Sequence, residues 1–107
     1  VPLATIQQNY AALLAELLQT NAQARLVALT IWSDPNTPNM VGIPGTQYND
    51  IIRKEAASWR SVRGSAVVDI STLYLNPAYH YPPGSSDVFH PNDAGHTAIA
   101  QAVLAAV

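Results

Sequence analysis

A chain of 107 residues with 49% apolar and only 11% charged side chains can bury about two-thirds of the surface its unfolded form exposes. It fits one domain at most and is no disordered tail, and a net charge of -2 offers no basic footprint for nucleic acid. Zero cysteines exclude disulfides and thiolate metal sites, and no apolar run approaches the length of a membrane span.

From Thr5 onward, Ile6, Tyr10, Leu13, Leu14, Leu17 and Leu18 recur at three- and four-residue spacing, which predicts a helix over roughly 3 to 20. Arg25 to Trp32 (RLVALTIW) is short, continuously apolar and β-branched, the composition of a strand buried on both faces of a parallel sheet. Pro35, Pro38, Gly42 and Pro44 then prevent regular structure and make a long loop between Ser33 and Gly45. Tyr48, Ile51, Ile52, Ala56, Trp59 and Val62 share a second helical face, with Gly64 placed as its left-handed cap. Ser65 to Ile70 (SAVVDI) reads as a second strand, and a strand, helix, strand crossover sets the two strands parallel. Residues 71 to 91 read as mostly irregular, with Pro82-Pro83-Gly84 as a break. The last helix is predicted to start at Asn92, a good N-cap, with Ala98, Ile99, Ala102, Val103 and Ala106 facing inward.

Two strong strands are too few for a helix-covered parallel sheet, and an edge strand as apolar as RLVALTIW invites aggregation. The expectation is therefore that further strands precede residue 1.

The chemistry concentrates in Asp87-Val88-Phe89-His90-Pro91-Asn92-Asp93-Ala94-Gly95-His96. An aspartate three residues before a histidine, in a turn opening an apolar helix, can orient that imidazole as a general base. No convincing nucleophile accompanies it: Ser85 and Ser86 sit in PGSSD, which lacks the strand and helix of a nucleophile elbow, and read as loop serines. Asp87, His90, Asp93 and His96 can be drawn as a metal cluster, but His96 reads better as a cap or packing residue. Asp69 is expected to anchor the loop after the second strand through backbone hydrogen bonds, or to line a site. His80 is expected in an aromatic cluster, with Tyr48 and Trp59 in the core. Trp32 and the loop behind it follow a strand's carboxyl end, so they serve either as walls of an acyl or sugar pocket or as a cover for the core.

The run DVFHPNDAGH followed by TAIAQAV resembles the closing block of the SGNH (GDSL-type) esterase and lipase family. NYAALLAELL, RLVALTIW, a helix containing Tyr48-Asn49, and AVVDIS follow the second half of that fold in order. The resemblance implies an α/β fold, part of a flavodoxin-like three-layer α/β/α sandwich with a parallel sheet, whose site lies at the carboxyl ends of the strands. It implies that residues 1–107 are the C-terminal segment of one hydrolase domain, with no second domain. The nucleophilic serine and the oxyanion donors would lie in a missing N-terminal segment, the partner that completes the site.

The implied reaction is cleavage of a carboxylic ester. His90 is the base, Asp87 its orienting carboxylate, and Trp32 and Phe89 are weaker substrate-binding candidates; neither cofactor nor metal is called for. The alternative is a non-catalytic module of the same fold that binds a carbohydrate or a protein, with a metal-dependent hydrolase as a third reading. Abundant Ala, Pro and Gln with few Lys suggest a secreted or periplasmic setting.

Overall fold

The computed structural model describes residues 2–40, 42–57 and 65–107. Helix α1 runs Leu3–Thr20, strand β1 Leu26–Leu29, helix α2 Gly45–Ala57 and strand β2 Ser65–Val68. A short helix α3, Ile70–Tyr74, and a single 3-10 turn, Pro77–Tyr79, lead to the closing helix α4, Asp93–Ala106. The strands pair in parallel in the register Leu26 to Ser65 through Leu29 to Val68, as the crossover requires. A small parallel sheet packed with helices is an α/β arrangement, the class the sequence predicts.

Helix α2 rests on both strands and on α1, while α4 rests on β2, α3 and the 3-10 turn. Leu14 of α1, Ala28 of β1, Ala56 of α2, Val68 of β2 and Ile70 of α3 are the buried apolar side chains among the described residues. Gln7 Nε2 donates to Glu55 Oε1 at 3.0 Å, a polar tie between α1 and α2.

Both strands are shorter than their apolar runs because the chain leaves the ladder for side-chain partners. Thr30 N still donates to Val68 O at 3.1 Å, but Ile31 N turns to Asn49 Oδ1, 3.1 Å away on α2. Asn49 is 1% exposed, on the stripe with Ile52 and Ala56, and it fixes the point where β1 becomes loop. Residues 71–91 are mostly irregular, as expected, but the second strand stops at Val68 rather than Ile70. Because β2 ends at Val68, Ile70 opens α3, buries its own side chain, and places Tyr74 beside Trp32. The helical positions Trp59 and Val62 and the cap Gly64 lie outside the described residues.

Candidate active site

The segment after the 3-10 turn returns as an isolated antiparallel bridge between His80 and Pro91, which sets the chain carrying residues 81–90 against the start of α4. Asn92 locks this junction with both ends of its amide. Its Oδ1 caps α4 by accepting from Gly95 N at 2.8 Å, and its Nδ2 donates to Ala78 O at 3.0 Å and His80 O at 2.9 Å. Its backbone N–H donates to Tyr79 O at 2.9 Å. Gly95 completes the fit, since a Cβ there would lie 2.7 Å from Pro91 Cβ and 2.8 Å from Tyr79 O. The Pro-Asn-x-x-Gly spacing thus has a packing reason.

On this mount sits the Asp87 and His90 pair. Asp87 Oδ1 accepts from the backbone N–H groups of Phe89 and His90, both at 3.0 Å, while Oδ2 faces His90 Nδ1 at 3.0 Å. Those bonds, led by the one from the His90 N–H, hold the Asp87 carboxyl below the ordinary aspartate range. An ionised carboxylate only accepts, so Nδ1 carries the hydrogen, and in the neutral ring Nε2 bears the lone pair. The imidazole is 78% exposed, with Nε2 turned away from its carboxylate and open to an incoming group. Beside it Phe89 is 76% exposed and Val88 half exposed, an apolar rim next to the imidazole.

Trp32 lies elsewhere, in an aromatic trio. Its ring stacks on His80 with centroids 5.5 Å apart and meets Tyr74 edge-on at 5.3 Å; Tyr74 and His80 are 4.6 Å apart. His80 Nε2 is also hydrogen-bonded to Tyr74 O. His80 does sit in an aromatic cluster, but its ring partners are Trp32 and Tyr74 from other elements, and through the bridge to Pro91 they brace the segment that ends at His90.

Asp69 anchors side chains rather than the backbone of its loop. Oδ1 accepts from Thr30 Oγ1 at 2.9 Å and Ser71 Oγ at 2.5 Å, and Oδ2 pairs with Arg53 at 2.9 Å. Burial pushes its pKa up, but the bonds from Ser71 and Thr30 and the Arg53 charge outweigh this, and the net shift is downward. Ser71 stands where a strand turns into a helix, the position of a nucleophile elbow, yet it is 2% exposed with its hydroxyl committed to Asp69. It cannot attack a substrate from there. Ser85 Oγ donates to Pro82 O, in keeping with a loop role.

The loop after β1 builds a pocket of about 500 Å³. Ile31, Ile43, Tyr48 and Tyr74 form its apolar side, and Ser33, Asp34, Thr37 and Asn39 its polar side. The sequence flagged the loop but none of these polar residues. The available signal was Asp34-x-x-Thr37, a local Asx pattern in which Asp34 Oδ1 accepts from Asn36 N and Oδ2 from Thr37 Oγ1. Among the described residues no group of three or more His, Asp or Glu could hold a metal ion, and no helix is long and apolar enough to cross a membrane.

A family model described as the GDSL-like Lipase/Acylhydrolase family matches residues 1–98. No curated protein and no solved structure matches the chain significantly.

Proposed function

The chain belongs to the GDSL-like lipase/acylhydrolase family, and from that premise we propose that it supplies the general base of a serine esterase, His90, with Asp87 as the carboxylate behind it. The observation that supports this most directly is the 3.0 Å contact between His90 Nδ1 and Asp87 Oδ2, which leaves Nε2 as the accepting nitrogen. In the proposed cycle Nε2 takes the hydroxyl proton as the serine oxygen attacks the ester carbonyl. It returns that proton to the departing alcohol, then repeats the exchange with water to free the acid. Asp87 stays ionised throughout, holding the ring and balancing the imidazolium charge.

The serine of this proposal belongs to a segment N-terminal to the matched residues, within the same domain. Two features support it. The serine best placed by backbone geometry, Ser71, is sealed off. Apolar side chains are also left uncovered: Leu13 and Leu17 of α1 and, separately, Leu29 and Ile31 at the end of β1 are exposed, and β1 pairs along one edge only among the described residues. Phe89 would line the acyl group beside His90, whereas Trp32 acts at one remove, by holding Tyr74 and His80.

The test is a fluorophosphonate serine probe applied to the purified protein, with intact mass under denaturing conditions and ester hydrolysis measured in parallel. An adduct on a serine of an N-terminal segment, together with a fall in kcat of about a hundredfold to ten-thousandfold in His90→Ala, is the expected result. Full hydrolysis in His90→Ala would remove the mechanism. A probe-silent protein that still binds a carbohydrate or a protein would favour the non-catalytic module.

A further inference from the structure

His80 stands where three excursions of the chain meet, and the cycle proposed for His90 gives it no part. Its ring stacks on Trp32, three residues beyond the end of β1, with centroids 5.5 Å apart and planes inclined by 28°. It meets Tyr74, the last residue of α3, edge-on at 4.6 Å. Its backbone pairs with Pro91 in the antiparallel bridge, and its carbonyl accepts from Asn92 Nδ2 at 2.9 Å. We infer that His80 is a positioning residue for His90, fixing where that imidazole stands relative to the carboxyl end of β1; the inference rests on the esterase reading of His90.

The Asp87 and His90 pair cannot place itself. Its bonds run within residues 87–90, so they orient the imidazole on its own turn but do not set where the turn lies in the fold. With the imidazole 78% exposed, packing around it does little to hold it. The anchorage passes through the next two residues. Asn92 ties them to Ala78 O, Tyr79 O and His80 O, all on the 3-10 turn and its cap. Helix α4 ties the same junction to β2 and α3. The tie to the end of β1 is the His80 ring on Trp32.

The ring is arranged for holding rather than for proton transfer. A carbonyl oxygen only accepts, so Nε2 carries its hydrogen toward Tyr74 O and offers no lone pair there. Unlike His90, His80 has no carboxylate bonded to it among the described residues. The stack on Trp32 fixes the plane of the ring, and the Nε2 bond fixes its rotation within that plane. Phenylalanine would keep the first restraint and glutamine the second. Displacing a base by about 1 Å can cost about a hundredfold in rate even when every reacting group is intact.

The test is a double-mutant cycle on the purified protein: parent, His80→Ala, His90→Ala and both together, assayed on a p-nitrophenyl ester with kcat counted per serine labelled at the endpoint by a fluorophosphonate. His80→Ala is expected to lower kcat by about tenfold to a hundredfold with KM held within about twofold. In the His90→Ala background it should add nothing, because no base remains to be positioned. By NMR the Pro91 Hα and the His90 amide should shift in His80→Ala, while the His90 ring keeps its hydrogen on Nδ1. His80→Phe and His80→Gln, each retaining one restraint, should fall between the parent and His80→Ala, and they decide the matter if His80→Ala does not fold. A merely structural role would lower the melting temperature and the number of labelled sites but leave kcat per site at the parent's value, and that result would overturn the inference. So would unmoved Pro91 and His90 resonances, parent-like kcat in both conservative variants, or an equal loss in the two backgrounds. Full hydrolysis in His90→Ala is the distinct result that removes the esterase reading and this inference together.

Discussion

Asp87 divides its work between two oxygens, Oδ1 holding the turn through the Phe89 and His90 N–H groups and Oδ2 holding the His90 ring. The two jobs separate by substitution. Asp87→Asn keeps an amide oxygen for the backbone but turns an NH₂ toward Nδ1, which drives the ring hydrogen onto Nε2 and removes the lone pair on which the proposed base depends. Asp87→Ala loses the turn as well. Both variants are therefore expected to lower kcat by about a hundredfold or more, but only Asp87→Ala should shift the backbone amide resonances of residues 88–90. Imidazole ¹⁵N shifts of His90 distinguish the tautomers directly, and a protonated Nδ1 in Asp87→Asn would refute the argument. This pair was legible in the sequence because its contacts span three residues. The cluster of Thr30, Arg53, Asp69 and Ser71 was not, since its members come from the residue after β1, from α2, from the turn after β2 and from α3, and only the fold brings them together.

At the scale of elements, the start of α4 is the part on which the candidate base depends most. A methyl group at position 95 would meet Pro91 Cβ and Tyr79 O at under 3.0 Å, and one of the two atoms is backbone that cannot swing aside. Gly95→Ala is thus expected to destabilise the protein by about 1–3 kcal/mol and to move Pro91, and with it His90, so that kcat falls although no reacting group has changed. Denaturant melts and ester hydrolysis measure the two effects, and a variant as stable and active as the parent would show that the junction is looser than its contacts imply. How well each element could be read follows from the range of its forces. Helix α1 carries its own periodicity and was predicted at the bounds observed, Leu3–Thr20, and α4 was placed correctly by the Asn92 cap. Strand β1 lost its end because Ile31 N turns from the ladder to Asn49 Oδ1, and β2 stops before Asp69, whose carboxylate ties Thr30, Ser71 and Arg53. Helix α3, of five residues, is too short to show a period at all and exists because Ile70 finds a buried place under the sheet's end.

Across the whole molecule, Asp69 is where β1, α2 and the chain leaving β2 are fastened together, and it makes stability depend on acid in a defined direction. Its pKa is lowered in the fold, so the unfolded chain takes up protons first as the pH drops. The stabilisation is fully present above the unfolded aspartate value of about 3.9 and is lost as the pH falls through the lower folded value. Asp34 and Asp87 are shifted in the same direction by their own loop bonds, and they add to the acid limb without joining separate elements. Asp69→Asn removes one titration and weakens the grip on Arg53, whose other partner is the exposed Asp50. The variant is therefore expected to melt below the parent at neutral pH, and the gap in Tm should narrow steadily below about pH 4, where the parent's own carboxylate becomes protonated. The comparison needs only thermal melts of the two proteins from neutral to acid pH. If the gap stayed constant down to the most acid point, the charge on Asp69 would not be what holds the junction, and the loss would lie instead in how the amide NH₂ is accommodated against the Arg53, Thr30 and Ser71 donors.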